Sequence, residues 1–142
     1  MLQQLSSLIT TVSNPLGRFI LGIYFLLPGL AKFTSYDFHI EYMASKGMMF
    51  IPFFLILSGL MQVGGAVALF AGFQVRITAF LLAGITLIIS LVMHDFWTLE
   101  EGLQRSHETQ NFFKNMGIMA GLLILTNAGA GAFSVDNHKK SA

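Results

Sequence analysis

Residues 51–93 read IPFFLILSGLMQVGGAVALFAGFQVRITAFLLAGITLIISLVM, and this stretch decides the fold. It holds two apolar runs, about Ile51 to Phe73 and about Val75 to Met93, separated by a turn around Gly72, Phe73, Gln74 and Arg76. A helix crosses a bilayer in about 20 residues, so each run is long enough to span. A connection this short makes the two spans antiparallel neighbours. Pro52 stands near the start of the first run, where its missing N–H costs nothing.

Two further spans follow outward from this pair. One runs from about Pro15 to Phe33, with Asn14 as N-cap, Pro15 at the first helical position and Pro28 inside it. The other covers about Phe112 to Ala132. The expected fold is therefore an all-α, antiparallel bundle of four transmembrane helices, forming one domain over residues 1–142. Both termini lie on one side. Arg18, Arg76, Lys139 and Lys140 on that side balance Lys32, Lys46, Arg105 and Lys114 on the other. Discounting Lys32 and Lys114, which sit at span ends, puts the termini in the cytoplasm.

The segments between spans differ in kind. Thr34 to Met49 sets Tyr36, Phe38, Tyr42 and Met43 among Asp37, His39, Glu41 and Lys46, an amphipathic pattern suited to an interfacial helix. His94 to Asn111 carries Glu100, Glu101, Arg105, His107 and Glu108 and belongs in water or at the headgroups. Leu2, Leu5, Leu8 or Ile9, and Val12 recur at helical spacing before the first span, as a surface helix or a flexible start. The start has neither the basic region nor the cleavage site of a secretory signal.

Composition agrees with this layout and closes several functional classes. Of 142 residues 54% are hydrophobic and only 11% charged, against roughly a quarter charged in a soluble domain; mean hydropathy is +0.69. Eight basic and seven acidic residues leave a formal charge of +1, with no basic stripe for nucleic acid. With no cysteine, thiol redox pairs, thiolate zinc sites, iron–sulfur clusters and c-type haem attachment are excluded.

Each span carries a face of small or polar residues at three- and four-residue steps. These are Arg18, Gly22, Phe25, Gly29 and Lys32; Ser58, Gln62, Gly65, Leu69 and Gly72; Arg76, Ala79, Ala83, Thr86, Ser90 and His94; and Lys114, Gly117 or Ile118, Gly121, Ile124 or Leu125, and Ala128. Small residues let membrane helices approach, so these faces read first as packing seams, with Gly117 and Gly121 as one small-xxx-small pair. Ionisable groups at membrane depth are costly unless paired. Lys32, His94, Asp95, Lys114 and Asn115 reach one membrane face, and Gln62 lies about 16 Å along its helix at 1.5 Å per residue. Together they form a ring able to receive an anion, a quinone carbonyl or a proton. The plainer readings are snorkelling lysines, an aromatic belt at Phe96 and Trp97, and an interhelical hydrogen bond from Gln62. Arg18 and Arg76 read as snorkelling on the opposite face. A metal site from His94, Asp95, His107 and Glu108 has no helical ligand spacing behind it.

The chain also resembles the DoxX family of small bacterial inner-membrane proteins. The resemblance lies in RFILGIYFLLPGLAK (18–32), YMASKG (42–47), LMQVGGAVALFAGFQVR (60–76), HDFW (94–97), NFFKN (111–115) and GAGAFSVD (129–136). It implies a four-helix inner-membrane protein associated with a quinone-linked oxidoreductase or redox-detoxification system. Its recurrent polar positions correspond to Arg18, Lys32, His94, Asp95, Lys114 and Asn115, whereas Gln62 stands where many of its members have an acid. Three functions are then open. One is a redox-system subunit meeting quinone at the ring, with its redox centre supplied by a partner protein. The others are a scaffold that recruits partners and a small-solute or ion carrier.

Overall fold

The computed structural model describes residues 1–141, with side chains through His138; Lys139 and Lys140, counted in the charge balance above, lie outside the described side chains. The fold is all-α. Among the described residues there are six α-helices: α1 (Leu2–Thr34), α2 (Tyr36–Ser45), α3 (Ile51–Ala71), α4 (Val75–Met93), α5 (Leu103–Ala128) and α6 (Val135–Ser141). A 3-10 turn, Phe96–Thr98, follows α4.

Three helical stretches are long and apolar enough to cross a membrane: Leu2–Thr34, Ile51–Ala71 and Val75–Thr98. The third and the second match the expected runs closely. The fourth expected span, 112–132, is part of α5, which begins nine residues earlier and ends at Ala128. Its first turns carry Gln104, Arg105, His107 and Glu108, and the stretch beyond them still holds Asn111, Lys114, Asn115 and Asn127, so its composition falls short of the three others. Gly129, at φ 81°, ends the helix.

The N-terminal expectation is corrected. Asn14 is no N-cap and Pro15 no first residue, because α1 is one 33-residue helix with Pro15 and Pro28 both inside it. A proline removes one i→i−4 hydrogen bond, and the rest of the long helix carries the chain through. The Asn14 side chain is used elsewhere, with Nδ2 donating to the Gly129 carbonyl at 3.0 Å. At 1.5 Å per residue α1 is about 50 Å long, well beyond a hydrocarbon core of about 30 Å. Its first turns expose Leu2, Leu5, Leu8, Ile9 and Val12. The segment after α1 does fold as a helix, α2.

Packing runs mainly between α1 and α3 and between α4 and α5, with α3 and α4 joining the two pairs. Glycines set the α1–α3 approach. A Cβ on Gly29 would stand 3.1 Å from the backbone nitrogen of Val63, and one on Gly22 would meet the Phe70 ring at 2.5 Å. The core contains Phe25, Ala66, Leu69, Val75, Ala79, Leu82, Ala83 and Leu122. Two groups cover opposite ends of the bundle. The α3–α4 turn, Arg18 and residues 129–136 meet at one, and α2, the end of α4 and the start of α5 meet at the other.

Candidate functional site

The end bearing α2 was expected to hold a ring of polar groups. The structure distributes them instead: Lys32 pairs with Gln62 and Asn115 with Tyr24, while His94 and Asp95 join one cluster with Glu108, Lys46 and Tyr42. Lys32, in the last turn of α1, donates from Nζ to Gln62 Oε1 at 2.8 Å and to the Pro28 carbonyl at 3.4 Å. Gln62 is 5% exposed, held where Gly29 lets α1 lie against α3. The amide oxygen gives the ammonium a neutral acceptor at depth, where a charge needs a partner.

His94 closes α4 and faces α5, its Nδ1 lying 2.7 Å from Glu108 Oε2. A carboxylate accepts, so the ring hydrogen belongs on Nδ1. Asp95 turns the other way, pairing with Lys46, the residue that follows α2, and accepting from Thr98 Oγ1 at 3.0 Å. Tyr42 Oη donates to the Met93 carbonyl at 3.4 Å. Trp97 is half exposed and packs edge-on against Phe112, with ring centroids 5.8 Å apart. These contacts fasten α2, the end of α4 and the start of α5 into a cap. Among the described residues no three His, Cys, Asp or Glu side chains gather to hold a metal.

The Lys46–Asp95 bridge makes a pH prediction. Burial draws the Lys46 ammonium down, but the hydrogen bond and charge of Asp95, with Tyr42 and Glu108 adding to them, outweigh it and leave the group above the ordinary lysine range. A raised folded value means the contribution is complete below the unfolded value, about 10.4. It fades as pH rises through the higher folded one. In Lys46→Met the alkaline limb of a stability–pH profile should flatten, with a loss of about 1 kcal/mol or less at neutral pH, since both side chains keep some solvent contact. Unfolding in detergent between pH 7 and 11 measures it.

Lys114 and Asn115, adjacent in sequence, point in different directions. Asn115 is 5% exposed and accepts from Tyr24 Oη at 2.7 Å. Lys114 is exposed, and its Nζ donates to Asn111 Oδ1 at 3.0 Å within α5. Lys114 also stands at one end of a groove between α1 and α5 of about 770 Å³. Its walls are Gly17, Ile20 and Leu21 on one side and Gly117, Ile118, Gly121 and Leu125 on the other, with Ser13 and Asn14 near the far end. Two hydrogen bonds strut it: Tyr24 to Asn115 above and Asn14 to Gly129 below. Between the struts the helices do not pack. A Cβ added at Gly17, Gly117 or Gly121 would meet nothing within 4 Å.

The opposite end is built on two arginines expected to snorkel. Arg18 is only 2% exposed, and its Nη2 donates to the carbonyls of Ala132 and Phe133 at 3.0 Å each. Its Nε and Nη1 are buried with no hydrogen-bond partner among the described residues. Arg76 Nη1 donates to the Thr126 and Asn127 carbonyls, covering open acceptors at the end of α5. Asp136 completes the lock, its carboxylate accepting from the backbone N–H of Gln74 at 2.8 Å and Val75 at 3.0 Å. It thereby caps α4 from 61 residues away.

The ring therefore resolves into Lys32 with Gln62, His94 with Glu108, Asp95 with Lys46, Asn115 with Tyr24, and Lys114 on the groove. Sequence reasoning missed Tyr24, Asn14 and Lys46 as partners and grouped Glu108 with His94 only as a possible metal site. A shared membrane level was visible from span ends, but the direction of each side chain around its helix was not.

Known proteins place the chain in a family. The model of the SURF4 family matches residues 38–142. The chain is 34% identical to the inner membrane protein YqjF of Escherichia coli over 120 residues, covering 84% of this chain and 85% of that one. It is 30% identical to the inner membrane protein YphA of the same organism, over 87% of each. It also matches the Surfeit locus protein 4 homolog of Schizosaccharomyces pombe at 33% identity, over 60% of this chain but 28% of that longer one. No solved structure matches. These findings overturn the DoxX assignment, whose short motifs are mostly glycine-rich and aromatic stretches common to small membrane helices. The inner-membrane, multi-pass location agrees with both bacterial relatives. The chain, an integral inner-membrane protein, belongs to the SURF4 family.

Proposed function

We propose that this protein binds an amphipathic, membrane-soluble ligand laterally, in the groove between α1 and α5, and supplies no redox centre of its own. The groove carries this reading. It is walled mostly by apolar and glycine residues and strutted by two hydrogen bonds, and one of its walls, α1, is long and apolar enough to cross a membrane. In this reading α5 is the fourth span, its residues 112–128 crossing beside α4, so that both ends of the chain lie on one side. The quinone-subunit reading loses its main supports, since it rested on the DoxX resemblance and on a ring that the structure divides. Of that ring only Lys114 lines the groove.

Filling the groove tests the reading. Gly121→Leu projects into the groove from a position whose Cβ would meet nothing within 4 Å, so it should fold normally. Ligand retained through gentle extraction, read by native mass spectrometry, should fall at least about tenfold, the factor carried by 1.4 kcal/mol. Undiminished ligand in a folded Gly121→Leu protein would refute it.

A further inference from the structure

Building on that reading, we infer that the groove's occupant is an anionic phospholipid, its phosphate at Lys114 and one acyl chain lying along Gly117 and Gly121 toward Ala128. Three observations converge on this chemistry. Among the described residues Lys114 is the one charged side chain lining the groove, and no carboxylate lines it. Its ammonium donates to a neutral amide, Asn111 Oδ1, and so keeps both its charge and further donor capacity. The groove thus has a cation at one end and an apolar floor, the arrangement of charge and hydrocarbon in an anionic lipid.

Length argues the same way. From Lys114 to Ala128 the α5 wall runs about 21 Å at 1.5 Å per residue. One leaflet of a hydrocarbon core about 30 Å thick needs about 15 Å of tail. A lipid chain entering from the Lys114 side fits along the wall without crossing the Asn14–Gly129 strut. The glycines explain how it lies close. With no Cβ at positions 17, 117 and 121, the tail contacts helix backbone, and the wall recovers the van der Waals contacts that α1 and α5 do not give each other.

The test uses the full-length protein in vesicles of phosphatidylglycerol and phosphatidylcholine, with retained lipid identified by native mass spectrometry. Wild type should retain phosphatidylglycerol about fivefold over phosphatidylcholine, the preference that about 1 kcal/mol per basic residue near an anionic surface confers. Lys114→Gln should retain as much lipid in total without the preference, and Lys114→Arg should keep it. Equal retention of the two lipids by wild type, or a preference unchanged in Lys114→Gln, overturns the anionic-lipid inference while leaving the groove reading standing. Lipid retention unaffected by Gly121→Leu overturns both. A dimer that excludes lipid from wild type but not from Gly121→Leu also overturns the inference, assigning the groove to a second copy.

Discussion

Gly72→Ala is expected to destabilise the bundle by about 3 kcal/mol or more, among the largest effects of a single added methyl group in this chain. Gly72 ends α3 at φ 66°, a left-handed conformation that costs an L-residue about 1–2 kcal/mol. The new Cβ would also overlap the Arg18 guanidinium and the Ser134 side chain, and stand 2.8 Å from the Ser134 Cα. The guanidinium can shift, but its shift breaks the bonds to Ala132 and Phe133. The Ser134 backbone belongs to the segment that those bonds hold. Thermal unfolding in detergent should drop by about 10 °C. Gly64→Ala is the matching control. Gly64 lies in mid-helix with nothing within 4 Å of an added Cβ, and exchanging a helical glycine for alanine should leave stability equal or raise it by up to about 1 kcal/mol.

Arg18→Met should be comparably damaging through a different route. The residue is buried, and a single nitrogen serves two carbonyls, at Ala132 and Phe133. Charged hydrogen bonds contribute about 1.5–3 kcal/mol each, and the abandoned carbonyls lose their donor. The segment they belong to has three left-handed residues, Gly129, Gly131 and Phe133, and needs outside support to keep that shape. We expect a loss of about 3 kcal/mol together with faster proteolysis between residues 129 and 136. Arg18→Lys keeps the charge but loses the planar fork, and should fall between the two. An Arg18→Met protein with wild-type protease resistance would show that the segment holds itself.

The sequence was most informative where small residues meet a close neighbour. In α1, Arg18, Gly22, Phe25 and Gly29 were placed on one face by spacing, and the same four are its buried residues. In α4, Ala79, Ala83, Thr86 and Ser90 are likewise buried. In the fourth expected span the outcome is mixed. Of its alternatives, Leu125 is buried and Ile118 packs on the core, whereas Ile124 is 71% exposed and the small-xxx-small pair Gly117 and Gly121 forms no seam. Glycine in a membrane helix permits close approach by anything, whether another helix or a lipid tail, and spacing does not say which. The polar ring divided for a similar reason. Its members share a level in the membrane, but each found its partner by rotation about its own helix. Lys32 met Gln62 because Gly29 and Val63 bring α1 onto α3, a contact set by two helices at once.

Asp136 has a consequence in time. It caps α4 by accepting from Gln74 and Val75, residues made 62 and 61 positions before it. At about 5–20 residues per second of synthesis, α4 waits roughly 3–12 s for its cap. Arg18 waits longer still for the carbonyls of Ala132 and Phe133. Every long helix is therefore synthesised before the latch that joins them, and insertion precedes closure. A nascent chain stalled short of residue 129 would hold all four long helices, yet expose a buried arginine and an uncapped helix start to whatever inspects unfinished membrane proteins.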